Sequence, residues 1–198
     1  MISAKEVKRL RDATGTGMMD CKRALTETEG DFERAVDLLR AKGAAKVAKR
    51  ADKAADEGTV GSYVHFDNRT AVIVEVNCET DFVANTDDFR SLAKDIALHI
   101  ASMAPLAISA DDIPSEVVER ERAVNEERVR KEGKPEKIAP RIVEGRLRKF
   151  FEENTLLAQP FVKDPDRTIG DLIRDTSAKI GEKITVARFA RIKVGERS

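Results

Sequence analysis

The sequence predicts an α+β protein: a three-helix bundle over residues 1–43, a basic linker helix over 44–57, and a domain over 58–198 in which helices pack on a small antiparallel β-sheet. Three observations predict it. Apolar residues recur at helical spacing through the first forty-odd positions. The period switches to strict alternation after Gly58, then returns to helical spacing for most of the remainder. The 198 residues are 41% hydrophobic but only 5% aromatic, with no tryptophan, so the core must be aliphatic and helix-rich.

The elements follow in order. Ser3 and Glu6 match a capping box, in which each side chain satisfies a free amide at a helix start, and Val7 and Leu10 supply the apolar stripe. Thr14-Gly15-Thr16-Gly17 breaks that helix. A second helix runs from Met18 to about Thr28 with Ala24 and Leu25 inward, and Asp31 caps a third carrying Phe32, Ala35, Val36 and Leu39. Residues 44–57 are rich in alanine, lysine and arginine, with Val47 as the one large apolar anchor, which predicts a mostly solvated linker helix closed by Gly58. Val60, Ser62, Val64 and Phe66 then share one face and, after an Asp67-Asn68 turn, Val72, Val74, Val76 and Cys78 do the same. This is the pattern of a β-hairpin with one buried face.

Phe89, Leu92, Ala93, Ile96 and Ile100 mark the next helix. A loop between Pro105 and Pro114 leads to a highly charged helix over 115–133 and, past Gly133-Lys134-Pro135, to a helix with Ile138, Ile142, Leu147 and Phe150. Gln159 to Pro165 reads as an extended loop. Ile169, Leu172, Ile173 and Ile180 form a last amphipathic helix ended by Gly181, and residues 184–194 alternate as a final strand.

Charge narrows the function. Thirty-six basic residues balance thirty-six acidic ones, which argues against a wholly basic nucleic-acid binder and against a charge-driven disordered tail. The balance is uneven: residues 58–112 hold three basic side chains (Arg69, Arg90, Lys94) against nine acidic ones, a balance of −6. Two cysteines cannot make a disulfide framework and suit a reducing compartment. No run approaches the roughly 18 apolar residues of a membrane span, and Met1 to Glu6 lacks the basic-then-apolar order of a secretory signal. The expectation is a soluble, cytoplasmic chain with no membrane partner.

No catalytic constellation stands out. A phosphate-binding loop needs glycines, a lysine and a Ser/Thr, whereas Gly133-Lys134 is followed by Pro135. Gly15-Thr16-Gly17 lacks a third glycine and a preceding strand, so no nucleotide cofactor is expected. Cys21, Cys78, His65 and His99 form no close pair, so no metal site is expected either. Cys78 with His99 as base could make a cysteine nucleophile, but a thiol on a buried strand face should be inert. Lys46, Lys49, Arg50 and Lys53 could meet RNA phosphates, though no aromatic residues interleave them and a solvated linker face explains them better. Two stretches leave a choice open. Met18-Met19 follows the glycine loop and either packs in the bundle or serves an adaptable binding surface. Asp81-Phe82 lies in a short connection, where Phe82 either plugs its own core or enters a partner's pocket.

LRDATGTGMMDCKRALTETEGDFERAVDLLRAKG closely resembles the N-terminal ubiquitin-associated-like domain of the bacterial elongation factor Ts family. EVNCETDFVANTDDF resembles that family's TDFV segment, and EGRLRKFFEENTLLAQPFVKD its later signature. The resemblance implies a ubiquitin-associated-like fold for residues 1–43 and guanine-nucleotide exchange on elongation factor Tu, without covalent chemistry and therefore without enzyme activity. It implies that Thr80, Asp81, Phe82 and Val83 disturb the partner's magnesium site, Phe82 by insertion, and that Arg11, Met18 and Met19 dock on the same GTPase. No direct nucleic-acid contact is implied. Short members of the family pair as homodimers through their sheets, some bonded through a cysteine in the last strand; the matching position here is Ala190, so a non-covalent dimer through residues 184–194 is expected. The competing reading is a passive adaptor that tethers a partner without exchange, which leaves the acidic TDFV loop without a task.

Overall fold

A computed structural model describes residues 2–196. Helices α1 (Ala4–Thr14), α2 (Met18–Glu27) and α3 (Phe32–Ala48) come first, followed by strands β1 (Glu57–Val64) and β2 (Thr70–Cys78). The short α4 (Asp81–Ala84) and the long α5 (Asp87–Met103) follow, then α6 (Ser115–Lys131) and α7 (Ala139–Asn154). Strands β3 (Pro160–Phe161) and β4 (Asp164–Thr168), helix α8 (Ile169–Ile180) and strand β5 (Thr185–Lys193) complete the chain. The class is α+β, as the sequence predicts.

Two compact units emerge. The first combines the chain up to Thr59 with Asn77–Phe89 and Ile173–Thr185; the second takes Val60–Val76, Arg90–Leu172 and the chain from Val186 on. In the first unit, α1–α3 enclose Val7, Leu10, Cys21, Ala24, Leu25, Ala35 and Leu39, with Phe32 and Val36 packed at the margin. These are the apolar positions that helical spacing selects, plus Cys21, which behaves as a small hydrophobe. Ser3 forms the expected capping box and Asp31 accepts the Arg34 amide at the start of α3.

The separate helix expected over 44–57 does not form. Helix α3 continues through Gly43 to Ala48, and Lys49–Lys53 turn the chain toward β1. Gly43 serves close packing and not helix termination: a Cβ there would lie 3.1 Å from the Ala178 Cβ of α8.

In the second unit, the sheet runs in the order β1-β2-β5. Val72, Val74 and Val76 point inward, as do Leu92, Ala93, Ile96, Ala97 and Ile100 of α5. The face of β1 differs from expectation. Val60, Val64 and Phe66 are exposed, and the buried residue is Gly61, whose missing Cβ would come within 2.4 Å of the Ala93 carbonyl oxygen. Helix α5 approaches β1 so closely that only glycine fits. The hairpin turn lacks glycine but finds the left-handed conformation in Asn68, at φ 55°, while Asp67 Oδ1 accepts the Arg69 amide at 2.9 Å.

Helices α6 and α7 pack on each other through Val129, Val143 and Leu147, with Ile142 and Phe151 partly buried beside them. The segment read as an extended loop, Gln159 to Pro165, holds strand β3 and the start of β4, which pair antiparallel out to Thr168.

Candidate partner-binding site

The N-terminal docking candidates sit where α1 gives way to α2. Gly15 takes φ 65° and donates its amide to the Arg11 carbonyl at 2.7 Å, ending α1 with a left-handed cap. Helix α2 then opens directly on the two methionines, with Gly17 before them offering no side-chain cap. Met18 is 42% exposed and Met19 68% exposed, and Arg11 is exposed as well. Neither methionine belongs to the bundle core, so the choice left open by the sequence resolves toward the surface for both.

Thr80, Asp81, Phe82 and Val83 lie where β2 leaves the sheet. Cys78 is the last strand residue, and Thr80 caps α4, its Oγ1 accepting the Val83 amide at 3.4 Å and its carbonyl accepting the Ala84 amide at 3.2 Å. One helical turn separates the roles of the side chains: Ala84 is buried, Val83 half-buried, Asp81 exposed, and Phe82 is 83% exposed. Phe82 plugs no core of its own. Exposing a phenylalanine on a four-residue helix forgoes about 1.5–3 kcal/mol of burial.

The contacts that hold this turn come from far along the chain. Glu182, just past α8, accepts the Glu79 and Thr80 amides on Oε2, both at 3.1 Å, and the Thr80 hydroxyl on Oε1 at 2.7 Å. Glu79 returns the arrangement by accepting the Lys183 amide at 2.7 Å. Arg50 Nη1 donates to both Glu79 oxygens at 2.8 and 2.7 Å. The Lys183 amide first, and the Arg50 guanidinium after it, hold the Glu79 carboxyl below its ordinary range. Lys183 Nζ donates to the Ala51 and Lys53 carbonyls at 2.7 and 2.9 Å. Helix α8 also borders the methionine segment: a Cβ on Gly15 would lie 3.4 Å from Lys179 Cδ, while Lys179 Nζ donates to Asp88 at 2.7 Å. The first unit therefore carries both groups of candidates.

Arg50 and Lys46, read from sequence as possible phosphate contacts, face carboxylates: Arg50 pairs with Glu79 and Lys46 lies 3.5 Å from Asp20. Nothing local in the sequence marks Glu182 or Lys183, because their partners lie about a hundred residues earlier and only the fold brings them together. Burial pushes both thiols up, that of Cys21 and that of Cys78, which makes them poor nucleophiles. The candidate base for Cys78 is committed elsewhere, since His99 Nδ1 accepts the Val162 amide and its Nε2 meets Gln159. Among the described residues no group of three or more His, Cys, Asp or Glu side chains is placed to hold a metal, and no helix is long and apolar enough to cross a membrane.

A family model described as Elongation factor TS matches residues 24–196. The chain is 53% identical over 196 residues to Elongation factor Ts of Moorella thermoacetica, covering 99% of this chain and 97% of that protein. It is 54% identical to Elongation factor Ts of Syntrophomonas wolfei, over 99% of this chain and 92% of that one. With Elongation factor Ts of Thermosipho melanesiensis it shares 50% identity over 99% of its own length and 100% of that protein's.

Proposed function

The chain belongs to the elongation factor Ts family of translation-elongation proteins, and on that premise we propose that it is the guanine-nucleotide exchange factor for elongation factor Tu. It binds the GDP complex, inserts the TDFV segment near the partner's magnesium ion, and promotes GDP release and GTP loading. The observation that carries this reading is Phe82, held exposed on a turn whose cap, Thr80, is anchored by Glu182. Magnesium bridges phosphate oxygens and neutralises their charge, so a wedge that displaces it loosens GDP. Asp81, exposed beside Phe82, brings a negative charge to the same place.

No bond is made or broken, so the protein is an exchange catalyst and not an enzyme, and it works in the cytoplasm with its GTPase. Magnitude divides the labour. Burying one phenylalanine contributes about 1.5–3 kcal/mol, roughly one to two decades of rate if all of it is realised in the exchange transition state. Docking through Arg11, Met18 and Met19 supplies affinity that does not depend on the wedge. The protein also acts as a non-covalent homodimer, supported by the apolar residues exposed on the outer face of the sheet.

The test is release of labelled GDP from elongation factor Tu with the intact chain and with Phe82→Ala. The variant should slow release about tenfold to hundredfold at saturating factor and still bind. Release unchanged by Phe82→Ala refutes insertion. Binding by the intact chain with no acceleration of release would install the passive adaptor instead.

A further inference from the structure

We infer that Glu182 is a positioning residue for exchange: its carboxylate, held by the turn after α8, fixes the TDFV helix in the pose from which Phe82 enters the partner. The inference rests on the exchange reading and adds to it a residue outside the matched TDFV motif.

A four-residue helix cannot hold itself, because nucleating a helical turn fixes several residues for very few hydrogen bonds. Helix α4 therefore takes its direction in large part from what grips its N-cap residue. That residue is Thr80, and Glu182 grips it twice, through the backbone amide and through the hydroxyl, while also taking the Glu79 amide. The Thr80 hydroxyl relays the restraint, since the oxygen that donates to Glu182 is the one that caps the Val83 amide. Glu182 itself is fixed. Gly181 turns the chain at φ 88°, the buried Ser177 hydroxyl donates to the Glu182 carbonyl, and the neighbouring Lys183 amide is bound by Glu79. Glu182 thus caps the Glu79 and Thr80 amides, and Glu79 the Lys183 amide, across the gap between the strand end and the helix end. Phe82, two residues from Thr80, has its own ring largely in solvent; the far end of the turn is held by the buried Ala84 and by Asn85 Nδ2 and Thr86 Oγ1 donating to the Asp81 and Val83 carbonyls, and the near end by Glu182. Misplacing a reacting or wedging group by about an ångström can cost on the order of a hundredfold in rate, so a fixed cap preorganises the wedge at no cost during the encounter.

The experiment measures GDP release from elongation factor Tu over a range of factor concentrations for wild type, Glu182→Ala, Phe82→Ala and the double variant. Glu182→Ala should lower the maximal rate about tenfold or more and change the half-saturating concentration far less, because Arg11, Met18 and Met19 still dock. In the Phe82→Ala background, Glu182→Ala should add no further loss, since there is no wedge left to position. A merely structural role would lower both backgrounds alike. Glu182→Gln keeps the side chain's size and one acceptor oxygen; it should fold as wild type and fall between wild type and Glu182→Ala. Losses that multiply in the double variant, or wild-type release by Glu182→Ala or Glu182→Gln while Phe82→Ala is slow, overturn the inference. Wild-type release by Phe82→Ala marks instead the failure of the insertion reading itself.

Discussion

His99 is fully buried, with Nε2 3.0 Å from Gln159 Oε1 and Nδ1 accepting the Val162 amide at 3.3 Å, which defines the neutral Nε2–H tautomer. Burial pushes its pKa below the ordinary 6.5, and the Gln159 hydrogen bond opposes this more weakly. A protonated ring would turn its Nδ1 hydrogen against an amide that is already a donor. The unfolded chain therefore takes up a proton before the folded one does, and stability rises with pH between the two values. The contribution of neutral His99 is complete above about pH 6.5 and is lost as the pH falls through the folded value. Glu79 acts in the same direction lower down, its depressed carboxyl favouring the fold above 4.5 and losing that contribution as pH falls through its lowered value. Urea unfolding of wild type and of His99→Gln, which cannot titrate at this position, should separate the first effect. The variant is less stable at pH 7.5, and the gap narrows at pH 5. A gap that widens at low pH contradicts the assignment.

At the scale of elements, β1 shows what a sequence pattern can and cannot say. Alternation finds the strand, but a period of two does not tell which side is covered, and the apolar set Val60, Val64 and Phe66 lies on the outer face. The inner position is Gly61, which carries no hydrophobic signal because its role is to leave room for Ala93 of α5. The separate helix expected over 44–57 fails for a related reason: α3 runs through Gly43 to Ala48, and Gly43 leaves room for Ala178 of α8, which local sequence does not show. The bundle was legible because Val7, Leu10, Ala24, Leu25, Ala35 and Leu39 are local in sequence and bury one stripe. Of the candidate site, Arg11, Met18, Met19 and Thr80–Val83 are legible as motif residues; Glu182 is not, its meaning depending on a contact 102 residues away. The two kinds of glycine give a paired test. Gly61→Ala should cost about 1–3 kcal/mol, the usual range for overpacking against something that cannot yield, here the backbone of Ala93. Gly145→Ala, mid-helix in α7 with nothing within 4 Å of the new methyl, should gain about 0.5–1 kcal/mol from helix propensity. Denaturant midpoints of the two variants should move in opposite directions, and a neutral Gly61→Ala would rule out the close approach.

At the scale of the molecule, the outer face of the sheet is the feature a lone chain leaves unexplained. The Val194 amide donates to the Arg69 carbonyl and Arg188 Nε pairs with Glu75 at 2.7 Å, two contacts that share one antiparallel register between β2 and β5. On that register Ile73 lies opposite Ala190, and Ile192 opposite Ala71. The His65 amide, bonded to the Thr70 carbonyl at 2.8 Å, sets Val64 beside Ala71 on the other edge. Val60, Val64, Phe66, Ile73, Ile192 and Val194 are each more than half exposed, Phe66 at 87% and Ile192 at 72%, so the outer face of the three strands and their ends carries six exposed apolar side chains. Such surfaces on soluble chains mark interaction sites. The homodimer proposed above would use this face: a two-fold axis through the patch would pair residue i of one copy with residue j of the other and j with i, so an apolar patch meets itself, with the Glu75–Arg188 pair on the same face. Face-to-face packing of two such sheets would bury both outer faces at the usual separation of about 10 Å. Replacing Ile192 by glutamate would place one carboxylate from each copy in that interface, where an uncompensated buried charge costs several kcal/mol. Sedimentation at micromolar concentration should therefore give a dimer for the wild type and a monomer for Ile192→Glu. Because the proposed docking residues belong to the first unit and this face to the second, the monomeric variant should keep its far-ultraviolet circular dichroism and its direct contact with elongation factor Tu. A wild-type chain that sediments as a monomer excludes the dimer, and an Ile192→Glu chain that stays dimeric moves the interface to another surface.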